Sequence, residues 1–310
     1  MARYVVVRSL SLVVSILIAT VAVFAIMHAI PGGPFDAEKA PLTAAQQANL
    51  MRFYGLDQPL PVQYLRFLGG AMHLQFGYSY QEPGETITDL LAQTWPVSAL
   101  VGGMGLLLGI LLGLALGIAA AMYHNSPIDY LLTTLAVVTT TLPPYIVSIV
   151  LVLIFSLALR WFPPSGWNGP STWVLPTLAY AFIPVGSVMR YTRASMLDVA
   201  SRSYVVVARA KGLARSHVMT RHVLRNAWRP ILTVTLPLVP AIMTGSILVE
   251  SIFRVPGLGM YFVTSISKRD YPLELALIFI VTLLTGVTFL VTDILYTLLD
   301  PRLRLSGSAA

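Results

Sequence analysis

Apolar residues form six long stretches along the chain, and shorter polar segments separate them. An α-helix of about 20 residues crosses the hydrocarbon core of a bilayer. The pattern therefore predicts an all-α membrane protein with six transmembrane helices. The first apolar run is longer than the about 7–15 residues of a signal peptide, so we expect it to be retained. The predicted spans are Ser9–Ile30, Trp95–Tyr123, Tyr130–Leu159, Trp173–Met189, Pro230–Phe253 and Leu273–Leu299.

A long polar insertion, residues 31–94, separates the first two spans. It opens with Pro31-Gly32-Gly33-Pro34, which a helix does not continue through. Amphipathic helices are predicted near Thr43–Tyr54 and Val62–Leu74. Because both are too polar to span a bilayer, we expect the insertion to form a small lid or scoop on the outer face, or to lie on the membrane surface.

Glycine recurs every four residues in the second span, at Gly105, Gly109, Gly113 and Gly117. This spacing puts small residues along one stripe of a helix, which lets another helix approach closely in lipid. The stripe could pack against a helix of the same chain or form a seam with another subunit. We favour packing within the chain.

Pro143 and Pro144 interrupt the third span near its middle. A broken helix at membrane depth usually lines a cavity or packs against protein. Two interpretations stay open: a bend that lines a translocation path, and a bend that serves packing alone.

The most basic polar segment, Tyr204–Pro230, is bracketed by apolar spans. We call it the basic hairpin. It predicts a short helix over Tyr204–Lys211, a left-handed turn at Gly212 and a second helix over Ser216–Trp228. The Ser216 hydroxyl can cap the second helix, and Pro230 suits the first turn of the next helix, where a missing N–H costs little.

The charge balance supports a membrane protein and orients it. Only 11% of residues are charged and 56% are hydrophobic, whereas soluble domains carry about 25% charged residues. With six spans both termini share a side, and that side, with the basic hairpin, holds 13 of the 20 Lys and Arg residues. Positive residues favour the cytoplasmic side, so the termini and the hairpin are predicted to be cytoplasmic. The net charge of +7 then reflects topology, and no nucleic acid partner is predicted.

These assignments divide the chain into four parts. Residues 1–30 hold the N-terminus and first helix, and 31–94 the extracytoplasmic insertion. Residues 95–304 hold five spans and the cytoplasmic loop 194–229, and 305–310 form a polar tail.

Signatures of catalytic or cofactor chemistry are missing from the sequence. It has no cysteine, no H-E-x-x-H, no G-x-S-x-G and no G-x-x-x-x-G-K-[ST]. His217 and His222 are five residues apart with no carboxylate between them. We therefore predict no metal site, no bound cofactor and no enzymatic activity in this chain.

Acidic residues are scarce inside the predicted spans. An ion-coupled carrier normally needs ionisable groups near the bilayer midplane, so an ion-driven secondary carrier is the disfavoured alternative. Any transport would then draw its energy from another subunit. Glu250 lies one helical turn before Arg254, and this spacing predicts a structural ion pair between them.

The order of motifs resembles one family. Ala208-Arg209-Ala210-Lys211-Gly212-Leu213 and His222-x-Leu224-Arg225-Asn226-Ala227-x-x-Pro230 resemble the cytoplasmic coupling loop of ABC importer permeases of the oligopeptide/dipeptide class. The Pro-Gly-Gly-Pro-Phe and Gly-Trp-Asn-Gly stretches resemble the B-type subunit of oligopeptide permeases most. Further matches are Pro31-Gly32-Gly33-Pro34-Phe35, Leu56-x-x-Pro59 with Gln63-Tyr64-Leu65, Gly166-Trp167-Asn168-Gly169, Glu250-x-x-Phe253-x-x-Pro256-Gly257-x-Gly259, Arg269-Asp270-Tyr271 and Asp293-x-x-Tyr296-x-x-x-Asp300-Pro301-Arg302.

Two departures from the general importer motif narrow the class. The motif begins Glu-Ala-Ala, where this chain has Val206-Val207-Ala208, and its later Leu-Pro is Leu224-Arg225 here. Both departures are shared with the peptide-permease branch. The resemblance does not separate oligopeptides from dipeptides, nickel complexes, glutathione or murein peptides as the substrate.

The resemblance implies a type I ABC importer permease fold in a bacterial inner membrane. Its implied partners are a second homologous permease, two cytoplasmic ATPases that bind ATP and Mg, and an extracytoplasmic peptide-binding protein. The implied ATPase-coupling residues are Ala208, Arg209, Ala210, Lys211, Gly212, Leu213, His217, Arg221, His222, Arg225 and Asn226.

Overall fold

A computed structural model of the chain describes residues 2–32, 34–35, 43–81, 84–214 and 217–299. Within these ranges helices are the only regular elements apart from one isolated bridge between Tyr78 and Thr86, and turns and irregular segments connect them. The helices are α1 (Ala2–Ala29), α2 (Ala44–Tyr54), α3 (Leu60–Ala71), α4 (Ile87–Met122), α5 (Pro127–Thr141), α6 (Pro144–Leu151), α7 (Pro170–Ala200), α8 (Ser203–Ala210), α9 (Arg225–Thr235), α10 (Leu238–Met243), α11 (Ile247–Phe253), α12 (Leu258–Ser267) and α13 (Tyr271–Leu299). Two π-helical segments, Val152–Ala158 and Val218–Leu224, extend α6 and precede α9.

Four helices in the described part of the chain are long and apolar enough to cross a membrane: α1, α4, α7 and α13. Two broken helix pairs also qualify, each as one bent span. Residues Pro127–Thr141 and Pro144–Ala158 meet at 107°, and α11 and α12 meet at 88°. The prediction that Pro143 and Pro144 interrupt the third span is confirmed, and with each pair as one span the total is six.

The predicted fifth span, Pro230–Phe253, is wrong as a continuous helix. The chain there forms α9, α10 and α11. Pro237 lies at the start of α10, and Gly245 in the next break has a φ of +83°, which favours glycine because a side chain strains that backbone region. The bent pair α11–α12 therefore takes the place of the predicted fifth span, residues 230–253.

The glycine stripe of α4 lies against α7. Its four glycines face Tyr180, Pro184, Val188 and Thr192 in the same order, so the two helices run in the same direction. A Cβ at Gly109, Gly113 or Gly117 would lie 2.6–2.8 Å from atoms of α7, which is closer than atoms pack. The prediction that the stripe packs within the chain is confirmed.

The two ends of the helix bundle are distinct. Helices α1 and α13 run in opposite directions: Tyr4 and Arg8 bond to Asp293 at one end, and the His28 and Tyr271 rings lie 5.1 Å apart at the other. We call the end with Asp293 and the C-terminal ends of α4 and α7 the hairpin end. The opposite end, where α2 and α3 lie, is the insertion end.

The insertion contains the two predicted amphipathic helices. Thr43 and Gln46 form a capping box at the start of α2, and Gly55 ends that helix in the left-handed conformation. Both features are local signals that the sequence carries. A core of Ala71, Phe76, Ile87, Leu91 and Leu273, among others, packs the insertion onto α4 and α13.

Candidate functional site

The basic hairpin is seated on the hairpin end of the bundle. Buried apolar residues of α8, of the π-helical segment and of α9 share one hydrophobic cluster with Met196 and Val199 of α7 and Ala121 of α4. The hairpin residues in this cluster are Val205, Ala208, Val218, Met219, Val223, Ala227 and Ile231. Because the cluster is continuous, the hairpin packs directly on α7 and α4.

The turn of the hairpin has the predicted left-handed geometry. Gly212 has a φ of +77°, and a Cβ built there would meet no atom within 4 Å. Backbone conformation alone, and not space, therefore favours glycine at this position. Ser216, the predicted cap of the second helix, lies outside the described residues.

The predicted helix start at Pro230 is wrong. Position 230 lies inside α9, Arg225–Thr235, which continues from the π-helical segment without a break. The buried residues Val223, Ala227 and Ile231 recur every four positions across it. This continuous apolar stripe packs on α7, and its burial favours one helix over two.

Most of the predicted coupling residues form an exposed surface. Leu213 is apolar yet 41% exposed, and so are Val206 and Val207, which precede the predicted residues and are 54% and 53% exposed; such residues are typical of a contact surface when they lie together. Ala208 is buried in the cluster beneath, and the Arg209 side chain lies outside the described residues. The other predicted residues are Ala210, Lys211, Gly212, His217, Arg221, Arg225 and Asn226, which are exposed, and His222, which is half-buried.

A charged cluster that sequence reasoning missed lies at the same end. The Arg193 guanidinium of α7 donates hydrogen bonds from Nε and Nη2 to the two carboxylate oxygens of Asp129, at 2.6 and 2.8 Å. The Asn125 N–H donates to the same carboxylate at 2.9 Å, and His124 Nδ1 lies 3.2 Å from it. Asp129 is buried, so this fork ties the α4–α5 turn to α7.

A cavity of about 230 Å³ lies between the two interrupted regions. Pro144 from one break and Gly245 and Ser246 from the other line it, with Tyr180 of α7. Irregular backbone at membrane depth is tolerated where it is buried in protein or lines a cavity. Pro144 therefore lines this cavity and Pro143 does not. A bend that lines a translocation path and a bend that serves packing alone both stay predictions.

The predicted ion pair between Glu250 and Arg254 is wrong. None of the ion pairs among the described residues includes either side chain. Arg254 ends α11 in the left-handed conformation with an exposed side chain, whereas Glu250 is fully buried. Because the two side chains occupy different environments, one helical turn of spacing does not bring them together.

Glu250 instead receives hydrogen bonds from neutral donors. The Tyr180 hydroxyl donates to Oε1 at 3.0 Å and the Gly259 N–H to Oε2 at 2.8 Å. The Ser98 hydroxyl and the Ser246 N–H also hydrogen-bond to it. The carboxylate therefore joins α4, α7, α11 and the start of α12.

No group of three or more His, Asp or Glu residues suited to a metal ion occurs within the described residues. The candidate site therefore consists of the basic hairpin packed on the bundle, two closely packed helices and two interrupted spans around a cavity.

Comparison with known proteins gives the family. A family model for the inner membrane component of binding-protein-dependent transport systems matches residues 113–305, and a model for the N-terminal part of such membrane components matches residues 1–101. The chain belongs to this family. Its members are transport permeases, which places this chain among multi-pass inner-membrane proteins.

Named relatives of this permease span almost its full length. It is 38% identical over 305 residues to the dipeptide transport system permease protein DppB of Bacillus subtilis, covering 98% of this chain and 99% of the relative. It is 34% identical over 306 residues to the oligopeptide transport system permease protein OppB of Salmonella typhimurium, covering 98% and 100%. The resemblance read from the motifs is confirmed.

Solved structures support the fold alone. The methionine ABC transporter MetNI in an inward-facing conformation matches with a TM-score of 0.57 at 12% identity, over 68% of this chain and 96% of that chain. An amino acid ABC transporter matches with a TM-score of 0.53 at 18% identity, over 69% and 94%. The permease has the type I ABC importer fold, as the resemblance implied.

Proposed function

We propose that this permease is the membrane-spanning subunit of an ATP-driven ABC importer that passes peptides into the cytoplasm. Oligopeptides are the substrate class that we favour. One observation carries the proposal: an exposed hairpin with a left-handed elbow at Gly212 is seated by a continuous apolar cluster on the ends of α4 and α7. The sequence similarity of the whole chain to DppB and OppB permeases supports peptides as the substrate class.

The hairpin is proposed to receive force from a cytoplasmic ATPase. The exposed residues Val206, Val207 and Leu213 offer an apolar docking surface, and Lys211, Arg221 and Arg225 add positive charge around it. A change in the ATPase moves the hairpin only if the two ATPase states contact it differently. The buried cluster then passes that movement to α7, and the spans rearrange around the cavity.

The proposal includes partners and an orientation. A second homologous permease, two ATPase subunits that bind ATP and Mg, and an extracytoplasmic peptide-binding protein complete the importer. The hairpin end is proposed to be cytoplasmic because it carries the excess of Lys and Arg. The described ends of α1 and α13 lie at that same end, which agrees with an even number of spans. The insertion end then faces the binding protein.

Substrate length stays a matter for experiment. The DppB relatives are 38% and 36% identical to this chain and the OppB relative is 34% identical, so similarity does not separate dipeptides from longer peptides. Nickel complexes, glutathione and murein peptides remain alternatives within the same importer class. Competition by peptides of two to eight residues for uptake of one labelled peptide would decide the length.

Reconstitution tests the proposal. The permease is purified with the subunits that co-purify with it, placed in proteoliposomes and supplied with the binding protein, ATP and a labelled peptide. We expect uptake that needs both ATP and the binding protein. Uptake by the isolated chain in a proton or sodium gradient, without ATP, would instead show an ion-driven secondary carrier.

A further inference from the structure

The insertion end holds a cavity of about 510 Å³ that the coupling role does not use. Its volume falls within the about 300–1,000 Å³ typical of small-molecule sites. The walls come from α1, α2, α3, the loop that follows α3, and the start of α13. It therefore lies where the insertion meets the spans, at the end of the bundle opposite the hairpin.

Residues with aromatic rings make up half of the cavity wall. The Phe24 and His28 rings lie 4.2 Å apart, His28 and Tyr271 5.1 Å apart, and Tyr54 and Tyr80 4.5 Å apart. Burial raises the pKa of the Tyr80 phenol well above its usual value, so this hydroxyl stays neutral. Such a wall suits an apolar or aromatic group while it offers neutral hydroxyls as hydrogen-bond partners.

Among the residues that the structure describes, Arg66 is the one Lys or Arg side chain that lines the cavity, and no Asp or Glu side chain lines it. The ion pairs found among the described residues do not include Arg66. Three acidic residues adjoin wall residues in the sequence: Asp57, Asp270 and Glu274. Asp57 is exposed and makes none of the ion pairs found among the described residues. Asp270 is buried and accepts hydrogen bonds from the Ser79 hydroxyl and the Tyr80 N–H, and the buried Glu274 accepts one from the Ser265 hydroxyl. The described lining of the cavity therefore carries one positive charge and no acidic side chain.

The backbone makes room for the guanidinium. The Arg66 guanidinium lies against Gly55, where a Cβ would be less than 3 Å from it. Gly55 is also the left-handed end of α2, with a φ of +69°. The Gln63 amide donates to the Leu56 and Gln58 carbonyl oxygens and so fixes the turn beside the arginine.

His28 adds a second polar group from another helix. Its Nδ1 lies 2.8 Å from the Phe24 carbonyl oxygen. Because a carbonyl oxygen only accepts, Nδ1 carries the proton, and in the neutral ring Nε2 is the hydrogen-bond acceptor. A ligand N–H can be accepted there.

We propose that this cavity binds the C-terminal residue of a peptide, with the free carboxylate on Arg66 and an apolar or aromatic side chain against the aromatic wall. An arginine fork matches a carboxylate in two parallel hydrogen bonds. The inference rests on the proposed peptide substrate class and deepens it: it assigns a peptide subsite to the permease itself, outside the path between the spans.

Photo-crosslinking tests the site directly. The probe is the tripeptide Ala-Ala-Phe with benzoylphenylalanine in place of Phe, used on the whole importer complex in lipid nanodiscs, without ATP and without the binding protein. We expect crosslinks that map by mass spectrometry to α1, α3 and the start of α13. The same probe with a C-terminal amide should crosslink at least about tenfold less, because a charge-assisted pair is lost.

Matched variants separate the site from general damage. Arg66→Gln should lower crosslinking by at least about tenfold. Arg52→Gln, on the exposed side of α2 outside the cavity, should leave it unchanged. Gly55→Ala should act like Arg66→Gln because its Cβ would displace the guanidinium. Equal amounts of assembled complex, measured by size-exclusion chromatography, are required for each comparison.

The outcomes distinguish the two proposals. ATP-driven peptide uptake with crosslinks that ignore Arg66 and the carboxylate would overturn the subsite and leave the proposed function standing. Crosslinks at the cavity that need Arg66, in a complex that shows no ATP-driven peptide uptake, would overturn the peptide importer and keep a carboxylate site.

Discussion

The Tyr180 hydroxyl on α7 donates a 3.0 Å hydrogen bond to Oε1 of Glu250 on α11, two residues 70 positions apart in the sequence. The same hydroxyl accepts a hydrogen bond from the Ser246 N–H at the break between α10 and α11. A single tyrosine thus holds both the interruption and the buried carboxylate that follows it. This arrangement fixes the bent pair α11–α12 to the long helix α7.

Glu250→Ala is expected to destabilise the permease. It would remove the acceptor for buried donors, and each unsatisfied donor costs about 1–3 kcal/mol. Glu250→Gln keeps the volume but replaces one acceptor oxygen by an NH₂ group, so a smaller loss is expected. Thermal unfolding in detergent, followed by fluorescence size-exclusion chromatography, measures the order. Glu85→Gln, at an exposed position, serves as the control, and an unchanged midpoint for Glu250→Ala would contradict this role.

Gly212→Asp is expected to leave the protein in the membrane but to uncouple ATP hydrolysis from uptake. A non-glycine residue in the left-handed region costs about 1–2 kcal/mol, and the elbow would relax away from its present geometry. The measurement is peptide uptake divided by ATP hydrolysis in proteoliposomes. Ala214→Asp, at an exposed position two residues after Gly212 and outside the predicted coupling residues, controls for added charge. Wild-type uptake in Gly212→Asp at equal membrane levels would remove Gly212 from the coupling mechanism.

Asp129→Asn is expected to weaken the link between the α4–α5 turn and α7. It would break the ion pair with Arg193, and hydrogen bonds to charged groups contribute about 1.5–3 kcal/mol each. We expect a lower unfolding midpoint together with reduced uptake per ATP hydrolysed. Asp198→Asn removes the exposed pair with Arg202, which should matter little because exposed pairs contribute about 0–1 kcal/mol. Equal effects of the two substitutions would contradict the assigned role of Asp129.

Gly113→Val is expected to prevent close packing of α4 on α7. Its Cβ would lie 2.8 Å from the Val185 carbonyl oxygen and from the Val188 Cβ, and overpacking costs about 1–3 kcal/mol. Gly103→Val is the matched control in the same helix, because a Cβ there meets nothing within 4 Å. Protease sensitivity of the membrane-inserted protein compares the two. A stable Gly113→Val variant beside a destabilised Gly103→Val variant would refute the packing.

Much of the fold could be predicted from local patterns. Apolar length predicts α1, α4, α7 and α13; the capping residues Thr43 and Gly55 predict α2; four-residue glycine spacing predicts the α4–α7 contact. These features depend on residues close together in the sequence. The bends are harder, because the angle at a proline or glycine break is set by what packs around it. That is why Pro230–Phe253 was expected as one helix.

The polar networks could not be predicted because their members lie far apart in the sequence. Asp129 meets Arg193 across 64 positions, and Ser79 meets Asp270 across 191. Spacing rules within one helix suggested Arg254 for Glu250, yet the partners came from three other segments. The left-handed turn at Gly212, in contrast, could be predicted because its signal lies within one short segment.

The parallel packing of α4 and α7 has a consequence for how this permease can change shape. The two backbones lie in close contact from Gly105 to Gly117, over about three helical turns. Sliding one helix past the other would therefore bring each glycine against a side chain of the next turn. Helices α4 and α7 must therefore tilt together as one rigid unit. Any opening wide enough for a peptide must then arise between this pair and the helices around it. The surrounding helices, and not this pair, would therefore accommodate cargoes of different width.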